Sequence, residues 1–144
     1  MQYRNFGGTY YLRVDPGEEV VASILSLLER EGVDSCTFTG IGGCSDADIR
    51  CFDAKKHAFS SEIVEGQLEL VSLIGNVIMD DEGERHLHAH ALFSFERDGE
   101  PCLRAGHLGT TTVLYTAEIE IRPVCGGTIG LTHDEVTGTG MWRL

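Results

Sequence analysis

The chain has 144 residues, 42% hydrophobic and 24% charged, a composition that suits one globular core and excludes a fibrous repeat or a disordered tail. Its formal net charge of −12 repels phosphate backbones and anionic lipid headgroups, and the eleven Lys and Arg are scattered, with Lys55-Lys56 the only adjacent pair. Five cysteines (Cys36, Cys44, Cys51, Cys102, Cys125) are odd in number and form no C-x-x-C pair, so reduced, mostly buried thiols are expected rather than a disulfide framework or a zinc ribbon.

In chain order, Met1 to Tyr11 lacks the basic start and apolar run of a signal peptide, and no apolar stretch approaches the ~20 residues that span a bilayer. A single domain over 1–144, in the cytoplasm and away from membranes, is the expectation. Tyr10 to Val14 reads as a short strand. Asp15-Pro16-Gly17-Glu18-Glu19 then supplies a turn, an N-cap and acidic residues for a first helical turn. Val20, Val21, Ile24, Leu25, Leu27 and Leu28 recur at helical spacing, and Gly32 can end that helix in left-handed geometry.

Beyond the helix the pattern changes to short β-branched and aromatic runs broken by Gly and Asp: Ser35 to Ile41, Ala47 to Phe52 and His57 to Val64. Gln67 to Met79, the polar turn Asp80 to Gly83 and Arg85 to Glu96 predict a long hairpin. Pro101 to Leu108 and Thr111 to Arg122 follow as strands, the latter with Ile119 and Ile121 alternating against exposed Glu118 and Glu120. After Gly126-Gly127 comes a polar tail ending Met141-Trp142-Arg143-Leu144, whose Trp needs burial on its own sheet or on a neighbouring subunit. The fold class is therefore α+β, one main helix with a sheet that dominates the second half.

Chemistry concentrates in the histidines, of which four out of six lie between His86 and His107. In a strand, residues i, i+2 and i+4 share a face, so His86, His88 and His90 project together while Leu87, Ala89 and Ala91 face the other way. A returning strand can bring His107 beside them. Converging neutral imidazoles suit zinc and also nickel, copper or iron. Gly40-Ile41-Gly42-Gly43 lacks the Lys-Ser/Thr of a phosphate loop and reads as a tight turn or close sheet packing, without a ligand. No G-x-S-x-G elbow occurs.

Several segments taken in order resemble the plant and prokaryote conserved (PPC) domain in its prokaryotic form: Asp15 to Glu18, Gly40 to Ala47, Gly66 to Asn76, His86-Leu87-His88, Ala105-Gly106-His107-Leu108 and Asp134 to Gly138. The resemblance implies a bent, mainly antiparallel sheet with one main α-helix, assembled as a homotrimer. It also implies a divalent metal, most plausibly zinc, on His86, His88 and His107. His90 lies outside the family pattern and is open to a role as additional ligand, proton shuttle or polar neighbour. Bacterial relatives carry a DNA-binding label, yet this chain has no Arg-Gly-Arg-Pro core to enter a minor groove, and its charge disfavours direct DNA binding.

A looser resemblance, confined to the metal strands, is to the zinc site of acetolactate decarboxylase. It implies a metal-dependent, lyase-like enzyme acting on a small oxo or hydroxy acid, with Glu69 the candidate acid or base. Two functional readings stand beside each other at this point: a trimeric metal-binding module with a small-molecule ligand at the metal, and such an enzyme. An open coordination position with a carboxylate close by favours the enzyme, and a surface-exposed metal favours the module.

Overall fold

The computed structural model describes residues 1–56, 58–136 and 138–144. His57, where the sequence pattern starts a strand, and Thr137, inside the Asp134 to Gly138 segment, lie outside the described residues. The elements are β1 (Gln2–Phe6), β2 (Thr9–Val14), α1 (Val20–Glu31), β3 (Cys36–Asp53), β4 (Ala58–Met79), β5 (Arg85–Arg97), β6 (Glu100–Leu108), β7 (Val113–Pro123), β8 (Gly130–His133) and β9 (Gly140–Arg143). Among the described residues α1 is the one helix, and none is long and apolar enough to cross a membrane.

The helix forms where its apolar spacing predicts. Val20, Ile24, Leu27 and Leu28 are fully buried, and Gly32 closes the C-terminus at φ 64°, a conformation that costs a side chain but not glycine. Its N-cap is Glu19, whose carboxylate accepts hydrogen bonds from the backbone N–H of Val21 and Ala22. The acidic residues therefore precede the first turn rather than occupy it. One carboxylate satisfies two donors that the helix leaves unpaired.

After the helix the apolar runs merge into fewer and longer strands. Ser35 to Ile41 and Ala47 to Phe52 belong to one strand, β3, which passes through register shifts at Gly40/Gly42 and Cys44/Asp46 instead of ending there. The glycines are needed for close packing. A Cβ on Gly42 would come within 2.6 Å of the Thr116 carbonyl oxygen on β7. Likewise β4 runs through Gly66, which adopts φ 128°, so the polar break there bends the strand without stopping it. Tyr10 to Val14 forms β2 as read, but its hairpin partner β1 and the tail hairpin β8–β9 carry too little apolar patterning to be read from sequence.

The order across the sheet is β1-β2-β7-β3-β6-β5-β4-β8-β9, and β3 also pairs along its length with β4. That extra pairing closes β3, β4, β5 and β6 into a ring, because β6 returns to β3 at Ile49↔Leu108 and Arg50↔His107. Among the described residues all strand pairings are antiparallel except the link Met79↔Gly130 between β4 and β8. One side of the sheet holds the core: Phe38, Leu68, Leu70, Leu73, Phe93, Ile119 and Ile121 share a buried cluster with α1's Val20, Ile24, Leu27 and Leu28.

The opposite side of the sheet stays open. Cross-strand partners run Arg4, Tyr11, Glu120, Thr39, Ile74, His90, His107 from β1 to β6, and direct partners project to one side. None of these seven is buried. Tyr11, Ile41, Val71 and Ile74 are 46–57% exposed and line a groove of about 940 Å³ with Tyr3 and Phe6. Of the five thiols only Cys36 and Cys44 are buried, while Cys51 and Cys125 are exposed and Cys102 is intermediate. This corrects the expectation of mostly buried cysteines. Cys51, near the end of β3, and Cys125, just past β7, lie away from the core.

Candidate metal centre

Strand alternation places His86, His88 and His90 on the outer face of β5, and Ala89 and Ala91, 3% and 4% exposed, on the core face. Which of the three meets His107 is decided by the β5–β6 register. His90 is the direct partner of His107, and His88 lies two residues farther along β5. Their ring centroids are separated by 4.3 Å for His90–His107, 4.9 Å for His88–His107 and 5.2 Å for His88–His90. One nitrogen from each lies within 4.8 Å of the others. His88 Nε2 and His107 Nδ1 are 3.1 Å apart.

His86 is not part of this group. It lies about 13 Å along β5 from His90, and its Nε2 contacts Asp80 Oδ2 at 2.6 Å. Asp80 is itself organised by the turn before β5: its Oδ1 accepts from the backbone N–H of Glu82 and Glu84. The His86 contact, first, and those backbone donors hold the Asp80 carboxyl below its ordinary range. The converging set is thus His88, His90 and His107, with His90 in the place that the family resemblance assigns to His86.

The residues fit a divalent ion. Tetrahedral zinc with Zn–N bonds near 2.0–2.1 Å sets ligand nitrogens about 3.3 Å apart, close to the 3.1 Å between His88 and His107. Burial, and then the neighbouring histidines, push the pKa of both rings below the usual imidazole value, which keeps them neutral with a lone pair free. Phe59 meets the His107 ring edge-on at a centroid distance of 4.9 Å. The donor set carries no charge, so a divalent ion there would keep its full positive charge and act as a Lewis acid at any vacant position.

Glu69 does not converge on the cluster. It pairs with Gly43 on β3 and with Ser94 on β5, four residues beyond His90 and about 13 Å away along the strand. There it lines a separate hollow with Gly42, Tyr115 and Glu118. Sequence reasoning missed the residues that do surround the histidines. Asn76 is the cross-strand partner of His88, Ile74 that of His90, and Trp142 reaches the same place from β9, its Nε1–H donating to Asn76 Oδ1 at 3.3 Å. No local pattern marks them, because each is near the site through pairing alone.

Residues 1–124 match the model of the family described as the Plants and Prokaryotes Conserved (PCC) domain. Among solved structures, the chain is similar to a plant- and prokaryote-conserved protein of Pyrococcus horikoshii, at 31% identity and TM-score 0.84 over 99% of this chain and 95% of that one. A metal-containing protein of Archaeoglobus fulgidus is 30% identical, with TM-score 0.83 over 100% of this chain and 99% of that one. A Bacteroides thetaiotaomicron protein to which DNA binding has been ascribed shares the fold at 22% identity, with TM-score 0.87 over 99% and 96% of the two chains. Comparison with curated proteins finds no match.

Proposed function

The chain belongs to the Plants and Prokaryotes Conserved domain family, and from that membership and its histidine cluster we propose a homotrimeric metal-binding domain that holds one zinc ion per chain on His88, His90 and His107. The observation that carries the reading is the convergence of three imidazole nitrogens within 4.8 Å on one sheet face. Support comes also from the metal-containing relative of Archaeoglobus fulgidus. Three protein ligands leave a fourth position for water or a small molecule. The ion would supply Lewis acidity, and the residues around it supply orientation. Cytoplasmic location follows from the free thiols and belongs to the same proposal.

A module that binds a ligand through its metal suits the surroundings better than an oxo-acid lyase. The cluster is open to solvent, Glu69 is remote, and two acids on neighbouring segments are engaged elsewhere: Asp80 with His86, Asp48 with Arg50 and Ser61. The open groove supports self-association, because Phe6, Tyr11, Ile41, Val71 and Ile74 stand exposed side by side along it. Direct DNA binding is disfavoured further by pairing of the cations. Arg13, Arg50, Lys56, Arg85, Arg104, Arg122 and Arg143 each face a carboxylate within 4 Å. Elemental analysis of untagged protein tests the reading: about one zinc per chain is expected, and less than roughly one-tenth would overturn it, because such a site retains its ion.

A further inference from the structure

Beside His88 and His90 the surface sinks into a hollow of about 390 Å³, walled by Thr37, Ile74, Asn76 and Trp142. That volume falls within the range of small-molecule sites. No Lys, Arg, Asp or Glu lines it. A second, smaller hollow of about 180 Å³ lies on the other flank of His88, between Arg50, Phe59 and His107. The larger one differs in having an indole for a wall.

Trp142 is held in place despite being 47% exposed. Its Nε1–H donates to Asn76, its strand pairs with β8 through Leu131↔Trp142, and β8 is tied to β4 at Met79↔Gly130. The next residue, Arg143, forms a forked ion pair with Asp81 in the turn before β5. The indole's setting is therefore anchored to β4, the strand paired with His88 and His90, and to the turn that leads into β5. An aromatic wall fixed in this way needs little ordering when a flat group stacks on it. Residue 142 lies beyond the 1–124 span of the family match, so this wall is a feature of this chain's tail.

We propose that Trp142 is a specificity-determining residue, forming the wall of a subsite that receives the planar apolar group of a small anion whose donor atoms sit on the ion held by His88, His90 and His107. The inference rests on the metal-site reading above. An ion on three neutral imidazoles favours an anionic head group, and the uncharged hollow beside it favours an uncharged, flat substituent. Asn76 and Thr37 at the rim offer hydrogen bonds to polar edges of that group.

The zinc-loaded full chain, titrated with benzohydroxamate and with acetohydroxamate, tests this, with zinc content measured before and after. Trp142 is the single tryptophan, so its emission reports this wall alone. Benzohydroxamate should change that emission and, by calorimetry, bind about tenfold more tightly than acetohydroxamate, since aromatic pairing and area burial together are worth a factor of this order. Trp142→Ala should shrink the preference to less than about threefold while leaving zinc content and acetohydroxamate affinity unchanged, and Trp142→Phe should restore most of it. Equal affinities in the zinc-loaded native chain, or an undiminished preference in Trp142→Ala, would overturn the subsite while leaving the metal site standing. A native chain that takes up no zinc removes both.

Discussion

His90 and His107 face each other as direct partners across β5 and β6, with ring centroids 4.3 Å apart. The same row continues through Ile74 and Thr39 toward the apolar groove, so the candidate metal centre and the surface proposed for self-association share one face of the sheet.

The two ligand sets differ in one residue, which makes them separable. His90→Ala or His107→Ala should weaken zinc binding by at least about a hundredfold, as expected when one of three ligands is lost. His86→Ala should leave it within a few fold, because His86 is engaged with Asp80. Competition with a chromophoric chelator measures both. A large loss in His86→Ala with little change in His90→Ala would return the site to His86, His88 and His107.

Removing the metal should reveal a pH dependence of known sign. Burial holds His88 and His107 below the ordinary imidazole pKa, so in weakly acidic solution the unfolded chain binds more protons than the folded one. Stability then rises with pH where this holds and levels off above about pH 6.5–7. Thermal unfolding of the chelator-treated chain between pH 5 and 8 should show that slope, and the double variant His88→Gln, His107→Gln should flatten it. An unchanged slope would assign it to other groups.

Thiol reactivity should divide the cysteines by burial. Cys36 is pushed up to about 11 by burial, and Cys44 is raised for the same reason, so neither offers thiolate at pH 8. A disulfide reagent at that pH should modify Cys51 and Cys125 quickly and Cys36 and Cys44 only after unfolding. Peptide mapping of early products checks the order. Rapid labelling of Cys36 would contradict its place in the core.

Light scattering should return three times the 15.8 kDa chain mass. Replacing Ile41 and Val71, 57% and 46% exposed in the groove, by lysine should shift the mass toward one chain with the helical and sheet signals retained. A native monomer at micromolar concentration would leave the groove without its proposed partner.

Anisotropy with random and A/T-rich duplexes should show no micromolar binding at ~150 mM salt, where phosphate contacts must outweigh the repulsion of a chain carrying −12. Trimerisation could gather Arg4, Arg13 or Arg50 into a ring, but Arg13 and Arg50 are already bonded to Asp15 and Asp48. Tight binding with a steep salt slope would reverse this conclusion.

Much of the chain is legible without coordinates because the relevant physics is local. The spacing of Val20, Ile24, Leu27 and Leu28 and the left-handed Gly32 specify α1, and the two-residue period of β5 puts three imidazoles on one face whatever lies beside it. Strand ends are less secure. Gly40, Gly42 and Gly66 look like breaks but serve as bulges and close approaches, a distinction that depends on what packs against them. Register is wholly non-local: a slide of two residues between β5 and β6 would keep every side chain on its face yet set His88, not His90, opposite His107. Only the tertiary pairing selects His88, His90 and His107, leaves His86 to Asp80, and brings Trp142 from the far end of the chain to Asn76.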